Sequence, residues 1–220
     1  MKVVVALLTY NRKTLFLKTL NSLYNSEHHY VNVVVDNGST DGTADIVKGI
    51  GGIVNDTENH TTGRGMNIAI EAAMKHEPDL IVFTADDFYY RKGWLKRLVN
   101  FWENAPQDVS MASCYLEPLW SWNEIIKVDT AGERYAIRTS IPGSNWTFRK
   151  SAVDMLYPLQ EKTGGEDLAV CDWMRRQRYR LAALDLVIHT GEQESAWGNE
   201  SWKSAQPLDK VSLGFEQWTE

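Results

Sequence analysis

The sequence is poor in the residues and runs that mark disulfide-rich, zinc-binding and membrane-spanning proteins. Its two cysteines, Cys114 and Cys171, form neither a CxxC motif nor a spacing typical of metal ligands, which indicates two reduced structural thiols. The apolar run at residues 3–8 is too short for a signal-peptide core and for a membrane span. We therefore expect a soluble, cytoplasmic chain with no signal peptide and no integral membrane segment.

Positive charge is also scarce. The 220 residues include 23 Lys and Arg against 29 Asp and Glu, a formal net charge of −6. Because contacts to a phosphate backbone need clustered Lys and Arg, this balance disfavours a dedicated nucleic-acid binder, although it leaves room for a local basic groove. A hydrophobic fraction of 43% is that of a globular fold. With no repeat, low-complexity segment or linker, residues 1–220 are expected to form a single domain.

Common sequence signatures of catalysis and nucleotide binding are absent as well. The stretch GIGG at residues 49–52 lacks the third glycine of the dinucleotide-binding fingerprint and does not open a helix, so a turn is expected there. No P-loop, HExxH or GxSxG motif occurs. A hydrolase that depends on a nucleophilic serine therefore has no support.

The first half of the sequence alternates between strand and helix patterns. Apolar, β-branched runs are followed in turn by segments with helical spacing, in the order KVVVALLT, KTLFLKTLNSLYN, YVNVVVD, a helix through Ile46, GGIVND, GRGMNIAIEAAMKHE, DLIVFTADD and KGWLKRLVNFWEN. This order predicts a parallel sheet covered by helices on both faces. Ligands bind beyond the carboxyl ends of such strands, where the polar clusters 9–12, 36–39 and 86–87 all fall.

The second half has a different character. The segments VSMASCYL, RYAIRTS and RLAALDLVIHT are typical of strands, and EDLAVCDWMRRQRY is typical of a helix. They show no clean alternation, so we expect a mixed α+β arrangement there. The predicted fold class is α/β, with a mostly parallel sheet flanked by helices.

Two adjacent carboxylates, Asp86 and Asp87, end the predicted fourth strand. Like charges at this spacing repel, so either a cation lies beside them or both are solvated at the strand end. Mg²⁺ and Mn²⁺ prefer oxygen ligands and also take phosphate oxygens, so a shared metal ion is one way to offset the repulsion.

Five segments resemble, in order and at familiar intervals, the motifs of the family 2 glycosyltransferases: LLTYNR, VVVDNGSTDGT, GRGMNIAI, FTADDF with GWL, and GGEDLAV. The resemblance runs from residue 3 to about residue 190. Its DNGSTDGT block is highly specific, and the other motifs are individually weak and collectively strong. It implies the GT-A fold, a Rossmann-like sheet with a nucleotide-sugar-binding half at residues 1–105 and an acceptor-binding, catalytic half with a C-terminal tail at residues 106–220.

The resemblance also implies a donor site at the ends of the first two strands. Thr9, Tyr10 and Arg12 would cradle the base and ribose of the nucleotide. Asp36 would accept a hydrogen bond from a base N–H, as uracil N3 offers, and such charge-assisted bonds are strong.

The segment GRGMN would lie beside the same nucleotide. Its Arg64 would contact the base or the phosphates, with Asn67 close by. The flanking glycines, Gly63 and Gly65, would permit close backbone approach. A solvated arginine at a helix start is the alternative.

In the family, the fourth strand ends in an Asp-x-Asp motif that holds Mn²⁺ or Mg²⁺, which in turn holds the diphosphate. Alignment on GWL makes Asp87 the last carboxylate of this motif and places Ala85 where the first one is expected. Asp86, the middle residue, would take over the missing role towards the ribose. His189, at the end of LDLVIH, would be a further metal ligand or, alternatively, a structural histidine.

The segment GGEDLAV contains the expected catalytic carboxylates. Asp167 would lie at a helix N-terminus, where the helix dipole keeps it ionised, and would take the proton of the acceptor hydroxyl. Glu166 would position the acceptor or the base. Three tryptophans are expected on the acceptor side, either stacked on a sugar or buried in the core: Trp146, Trp120 and Trp122.

The implied reaction is the metal-dependent transfer of a sugar from a nucleotide-diphosphate sugar to a hydroxyl of a glycan, by a single inverting displacement. UDP is the preferred nucleotide, and GDP and dTDP stay open. A nucleotidyltransferase of similar fold would need a Gly-rich basic loop, which LLTYNRKTL lacks. A non-catalytic nucleotide- or sugar-binding module is left open by Ala85 and disfavoured by Glu166 and Asp167. Modified DNA as the acceptor would use the arginines at 175, 176, 178 and 180, which otherwise indicate a solvated helix face.

Overall fold

The computed structural model describes residues 1–24, 26–115, 126–130, 133–164 and 166–189. Trp120 and Trp122 lie outside the described residues, as do the side chains of Glu166 and His189. The backbone positions of the last two are described, since Glu166 begins a helix and His189 ends a strand.

Strands and helices alternate through the first half of the chain, as predicted. They are, in order, β1 (Val3–Thr9), α1 (Lys13–Leu23), β2 (Val31–Asp36), α2 (Thr43–Gly49), β3 (Ile53–Val54), α3 (Thr62–Met74), β4 (Leu80–Ala85), β5 (Phe88–Tyr90) and α4 (Trp94–Asn104). The strand β5, directly after the carboxylate pair, is too short for a periodic pattern to reveal.

The second half is mixed, as expected. Its elements are β6 (Val109–Ser113), β7 (Ile126–Thr130), β8 (Glu133–Arg138), β9 (Asn145–Arg149), α5 (Lys150–Leu156), α6 (Glu166–Arg176), β10 (Arg180–Leu184) and β11 (Val187–His189). The strand β9 and the helix α5 come from a segment for which the sequence pattern predicts no element.

The prediction of one strand over RLAALDLVIHT is wrong. The chain breaks there into β10 and β11, which belong to different sheets. The reason is a long-range contact: the N–H groups of Leu186 and Val187 donate to the carbonyl of Cys114 at 2.9 and 3.2 Å. These bonds turn the chain away from the large sheet, so that β11 pairs with β5 instead.

Within the described residues, the strands form a nine-stranded sheet in the order β3-β2-β1-β4-β9-β6-β10-β8-β7 and a two-stranded sheet of β5 and β11. The strand β1 pairs in parallel with β2 on one side and with β4 on the other. The strand β9 lies antiparallel between β4 and β6 and so connects the two halves of the chain. One sheet therefore runs through both halves.

Helices cover both faces of the large sheet. The strand β1 is buried along its whole length. Its alternate residues pack in one cluster with α1 and α4 and in a second cluster with α3, α5 and α6. Each large apolar side chain that such packing removes from water contributes about 1.5–3 kcal/mol to stability. No helix in the described ranges has the length and apolar character that crossing a bilayer requires.

Candidate functional site

Three segments with polar residues meet at one edge of the sheet, as the sequence predicts. In the register of β1, Thr9 lies opposite Asp36 of β2, and Leu8 lies opposite Ala85 of β4. The hydroxyl of Thr9 donates a hydrogen bond of 2.6 Å to Asp86 Oδ2, and both side chains are buried. The carboxyl ends of β1, β2 and β4 thus form one polar cluster.

The positive group beside the two carboxylates is Arg12. Its Nη1 atom lies 2.8 Å from Asp87 Oδ2 and 3.2 Å from Asp86 Oδ1. The side chains of Arg12, Asp87 and Asp86 keep 16%, 14% and 3% of their surface exposed, so the carboxylates are not simply solvated. Because Arg12 lies in the loop between β1 and α1, the segment expected to cradle the donor itself provides the counter-ion.

Burial and charge act in opposite directions on these groups. The pKa of Asp86 is raised to about 6, first by burial and then by the negative charge of Asp87, while attraction to Arg12 opposes the rise. For Arg12, burial on its own lowers the pKa, but attraction to the two carboxylates outweighs it and the pKa is raised. Arg12 therefore stays protonated and supplies a positive charge at this edge of the sheet.

Two buried hydroxyls of α1 hold the corner between β4 and β5. Thr19 Oγ1 donates to the backbone carbonyl of Asp86 at 2.8 Å. Ser22 Oγ accepts from the N–H of Tyr90 at 3.0 Å. Neither residue is predicted from the sequence, because the only signal there is a pair of hydroxyls interleaved with leucines on the buried face of a helix.

Asp36 is the last residue of β2, and its two carboxylate oxygens differ in their hydrogen bonding. Its Oδ1 atom accepts from the N–H groups of Gly38 and Ser39 at 3.0 and 2.8 Å. Its Oδ2 atom is buried and has no hydrogen-bond partner among the described residues. A buried acceptor in this state is costly unless a ligand donor meets it, so the position suits the base contact that the sequence predicts.

Side-chain bonds fasten the loop after β1 to the loop after β2. The Asn11 Oδ1 atom accepts from the N–H of Thr40 at 2.7 Å, and the Asn11 N–H donates to Ser39 Oγ at 2.8 Å. Asp41 accepts from the N–H of Lys13 at 3.1 Å. The two loops that follow the site strands are therefore held as one unit.

A second set of bonds connects the loop after β2 to the segment before α3. Asn55 Nδ2 donates to Asn37 Oδ1 at 2.8 Å, and Asn37 Nδ2 donates to the carbonyl of His60 at 2.8 Å. The imidazole of His60 lies against Gly38, where an added Cβ would be 2.5 Å from Nδ1. His60 belongs to none of the motifs found in the sequence, so its position here is not predicted.

The structure places Arg64 and Asn67 against the chain between α5 and α6. Arg64 Nη1 lies 3.0 Å from Glu161 Oε1, and this ion pair is more than one-third exposed on both sides, so it adds little stability. Asn67 is buried and exchanges two hydrogen bonds with Leu159, from Nδ2 to the carbonyl at 2.9 Å and from the N–H to Oδ1 at 2.8 Å. Its amide is therefore a tether for α3 and is not open to a nucleotide, contrary to the expectation.

The two glycines of GRGMN do permit close backbone approach, but the partner is the protein itself. An added Cβ on Gly65 would lie 2.8 Å from Leu8 Cδ1. One on Gly63 would collide with the carbonyl of Gln160, and the N–H of Gly63 donates to the carbonyl of Lys162 at 3.0 Å. The start of α3 is thus pressed against the end of β1.

Asp167 lies in the first turn of α6, and both of its carboxylate oxygens accept hydrogen bonds. Its Oδ1 accepts from the N–H of Leu168 at 2.8 Å, and its Oδ2 accepts from the N–H of Gly143 at 3.4 Å. The neighbouring Ser144 accepts from the N–H of Ala85 at 2.7 Å. One short turn therefore connects this carboxylate to the end of β4.

Trp146 is a core residue. It is 1% exposed and lies on β9 opposite Phe83, with the ring centroids 6.4 Å apart. Of the two alternatives for this residue, stacking on a sugar or burial in the core, the structure shows burial, because the ring has no open face. Its Cζ2 atom would lie 3.5 Å from a Cβ on Gly143, so the ring supports the turn that contacts Asp167.

The carboxylate of Asp87 is a ligand type that a divalent cation prefers, but the described protein ligands around it are few. Among the side chains that the structure describes, no group of three or more His, Cys, Asp or Glu could hold a metal ion. Magnesium-type cations are commonly held by one or two carboxylates together with substrate phosphates and water, and Asp87 offers such a carboxylate. The backbone of His189 pairs with Phe88, the residue after Asp87, so the second expected ligand lies on the adjacent strand.

Comparison with known proteins agrees with the resemblance seen in the sequence. The family model for Glycosyl transferase family 2 matches residues 4–155 of the chain. No curated protein sequence matches it. Among solved structures, S. aureus TarS 1–349 in complex with UDP-GlcNAc is 20% identical, with a TM-score of 0.64 over 94% of this chain and 62% of that one. The mannosyltransferase PcManGT from Pyrobaculum calidifontis, in complex with GDP-Man and Mn²⁺, is 20% identical, with a TM-score of 0.62 over 82% of this chain and 53% of that one.

These structural neighbours bear on the fold alone at such low identity. They confirm the predicted α/β architecture, which is that of the GT-A glycosyltransferases. The chain spans 53% to 62% of the length of the two solved structures.

Proposed function

Because the chain belongs to glycosyl transferase family 2, we propose that it transfers a sugar from a nucleotide-diphosphate sugar to an acceptor hydroxyl. The observation that carries this proposal is the connection from Ala85 through Ser144 and Gly143 to Asp167. It joins a carboxylate able to act as a base to the strand ends where the donor is expected. A positioned donor and a base for the acceptor are the two parts that such a transfer needs.

The nucleotide of the donor lies, in this proposal, along the ends of β1 and β2. Asp36 Oδ2 accepts the base N–H, and Thr9 and Tyr10 flank the base and ribose. Arg64, half exposed at the start of α3, reaches the base or the phosphates from its pair with Glu161. We propose UDP as the nucleotide. The fold is compatible with more than one, since TarS is solved with UDP and UDP-GlcNAc and PcManGT with GDP-Man.

Asp87, together with His189, holds Mn²⁺ or Mg²⁺ in this proposal; when bound, the ion supplies positive charge to the diphosphate as it leaves. Arg12, whose Nη1 atom lies 2.8 Å from Asp87 Oδ2, orients that carboxylate. Asp86 takes the ribose-side role for which Ala85 has no side chain. The presence of Mn²⁺ in the PcManGT complex supports a metal in an enzyme of this fold.

Asp167 is the general base in the proposed reaction. Its carboxylate takes the proton of the acceptor hydroxyl while the hydroxyl oxygen attacks the anomeric carbon from the face opposite the diphosphate. The new carbon–oxygen bond forms as the bond to the diphosphate breaks, and the bonding electrons leave with the diphosphate. This single displacement inverts the anomeric centre without a covalent sugar–protein intermediate. Glu166, which precedes the base, positions the acceptor.

We propose a glycan as the acceptor, because three of the four arginines considered for a DNA backbone are paired within the protein. Arg175 and Arg176 both pair with Asp172, at 3.2 and 2.7 Å. Arg180 pairs with Asp108 at 2.6 Å. Such pairing removes part of the attraction that binding to a phosphate backbone requires.

Thermal unfolding of the full chain with a panel of nucleotide-sugars, each with and without Mn²⁺, tests the proposal. A ligand that binds only the native state raises Tm by mass action. A metal-dependent rise with one donor is the expected result. No rise with any donor, in a sample that unfolds cooperatively, would contradict a donor site. Release of pyrophosphate from a nucleoside triphosphate and a sugar phosphate would instead indicate a nucleotidyltransferase.

A further inference from the structure

We propose that Asn145 is a positioning residue, whose buried amide holds the two-stranded sheet of β5 and β11 at a fixed place beside the turn that contacts Asp167. Asn145 is the first residue of β9 and is 0% exposed. Its role rests on the proposed function, because Asp87 and His189 are metal ligands only in that proposal. It deepens that function, since Asn145 would tune the metal site without contacting the donor or the metal.

The amide of Asn145 uses its oxygen and its nitrogen in three directions. The Oδ1 atom accepts from the N–H of Cys114 at 2.8 Å. The Nδ2 atom donates to the hydroxyl of Tyr90 at 3.0 Å and to Thr84 Oγ1 at 3.3 Å. One side chain of β9 therefore bonds to β4, to β5 and to the residue that follows β6. A buried polar network that is satisfied in this way is rigid.

These bonds form part of a closed ring around the start of β11. The carbonyl of Cys114 accepts from the N–H of Val187 at 3.2 Å. Val187 lies opposite Tyr90 in the register of the two-stranded sheet, and the hydroxyl of Tyr90 bonds back to Asn145. Both strands of the small sheet are thus fastened to the same amide, β5 directly and β11 through Cys114.

The other end of the small sheet carries the proposed metal ligands. Phe88, which directly follows Asp87, lies opposite His189, two residue pairs away from the pair that Asn145 fastens. A displacement of β5 against β11, or of both against the large sheet, would therefore move the two ligands. A metal site needs its ligands held to within about 0.5 Å, so such a displacement would weaken the binding of the ion.

Asn145 also ends the turn that leads to the proposed base. Its N–H donates to the carbonyl of Pro142 at 3.4 Å, which closes the turn. Within that turn, the N–H of Gly143 donates to Asp167 Oδ2 at 3.4 Å, and the carbonyl of Ser144 accepts from Ala85 at 2.7 Å. The same short segment therefore connects to the base on one side and to the metal-binding end of the small sheet on the other.

The chemistry of the position requires an amide. Leucine has a similar size and branching, but it would leave the N–H of Cys114 unpaired where water does not reach, and would remove a partner from Tyr90 and from Thr84. Aspartate would keep an acceptor for Cys114 and lose the donors for the two hydroxyls. The neighbouring strands would have to move to regain their bonds, and the metal-binding end would move with them.

Calorimetric titration of the full chain with UDP, with and without Mn²⁺, tests this role. The quantity measured is the gain in UDP affinity that Mn²⁺ provides. We expect Asn145→Leu to lower that gain about tenfold or more, the usual loss when a residue that orients metal ligands is removed. UDP affinity without Mn²⁺ should stay close to that of the wild type, because the ends of β1 and β2 are not changed. Urea unfolding confirms that the variant is folded at the temperature of the titration.

The matched control is Thr147→Val, two residues further along the same strand. Thr147 is also 0% exposed, and its Oγ1 atom accepts from Trp102 Nε1 of α4 at 2.9 Å. The replacement removes one buried hydrogen bond from β9 without touching the small sheet. It should lower stability and leave the gain from Mn²⁺ unchanged. A full gain in Asn145→Leu, or an equal loss in Thr147→Val, would overturn the positioning role and leave the proposed function standing.

Two further outcomes are decisive. No gain from Mn²⁺ in the wild type would overturn the proposed metal site and the role of Asn145 with it. Should Asn145→Leu not fold, Tyr90→Phe removes one bond of the same ring and keeps the ring contact with Trp94, whose centroid lies 4.4 Å away. We expect this variant to lower the gain about threefold, as the loss of one hydrogen bond would. An unchanged gain in Tyr90→Phe would then overturn the role.

Discussion

The Arg12 Nη1 atom lies 2.8 Å from Asp87 Oδ2, so the residue proposed to hold a metal ion already has a cation of the chain beside it. The same nitrogen lies 3.2 Å from Asp86. The repulsion between two neighbouring carboxylates is thus offset inside the protein before a ligand binds. A metal ion that enters the site shares Asp87 with Arg12 or displaces it, which makes Arg12 an informative residue to remove.

Arg12→Ala should lower the free energy of unfolding by about 2–4 kcal/mol, because it leaves a largely buried carboxylate pair without its counter-ion. Arg180→Ala is the matched control: it breaks a more exposed pair with Asp108 and should cost less than about 1 kcal/mol. Urea unfolding followed by circular dichroism measures both. Equal destabilisation of the two variants would show that Arg12 is not needed to neutralise the pair.

Asp87→Asn should remove the dependence of UDP binding on Mn²⁺. An amide has no charge and is a poorer ligand for a hard cation than a carboxylate. Titration calorimetry with and without Mn²⁺ should show a metal-dependent gain in affinity for the wild type and none for the variant. Asp108→Asn, at an exposed carboxylate, should behave as the wild type. A variant at position 87 that keeps the full gain would refute the assignment of Asp87.

Asp167→Asn should lower the rate of sugar transfer about 10²–10⁴-fold, the usual contribution of a positioned base. The affinity for UDP should stay close to that of the wild type, because Asp167 acts on the acceptor. Asp172→Asn, on the same helix but paired with Arg175 and Arg176, serves as the control and should keep the rate. Measurement of product formation and of UDP affinity on both variants separates catalysis from binding. Loss of UDP binding in the position-167 variant would argue against a role as the base.

Gly38→Ala should reduce UDP affinity as well as stability, whereas Gly51→Ala should reduce stability alone. Gly38 and Gly51 have positive φ angles of +88° and +77°. An added Cβ should therefore strain the backbone at each position by about 1–2 kcal/mol. An added Cβ on Gly51 meets nothing within 4 Å, while one on Gly38 collides with His60. Urea unfolding and UDP titration on both variants check this. Equal UDP affinity in the two would contradict a base site at the turn after β2, where the N–H of Gly38 donates to Asp36.

The main elements of the fold follow from the sequence. The runs that form β1, β2 and β4 are continuous and β-branched, as expected of strands buried on both faces, and the helices between them show their own spacing. The failures are local. The break between β10 and β11 depends on bonds from Leu186 and Val187 to Cys114, a contact across the fold that no periodic pattern contains.

The members of the candidate site were easier to predict than their contacts. Thr9 and Asp86 were expected near each other because their strands are parallel, and they share a hydrogen bond of 2.6 Å. Asn67 is expected beside the nucleotide, and Trp146 either on a sugar or in the core, and the structure buries both. The residue type alone does not predict which backbone groups the buried amide of Asn67 will bond, or whether the indole of Trp146 will pack into the core. Each outcome depends on the neighbouring elements of the fold.

By itself, the sequence determined the family, the alternation of strands and helices, and the position of polar clusters after the strands, because periodicity and short motifs are local properties of the chain. Only the tertiary structure decided that Arg12 neutralises Asp86 and Asp87, and that His60 lies against Gly38. These relationships join residues from separate loops. They exist because the packing of helices on one sheet brings those loops to a common edge, where burial makes each unpaired polar group costly.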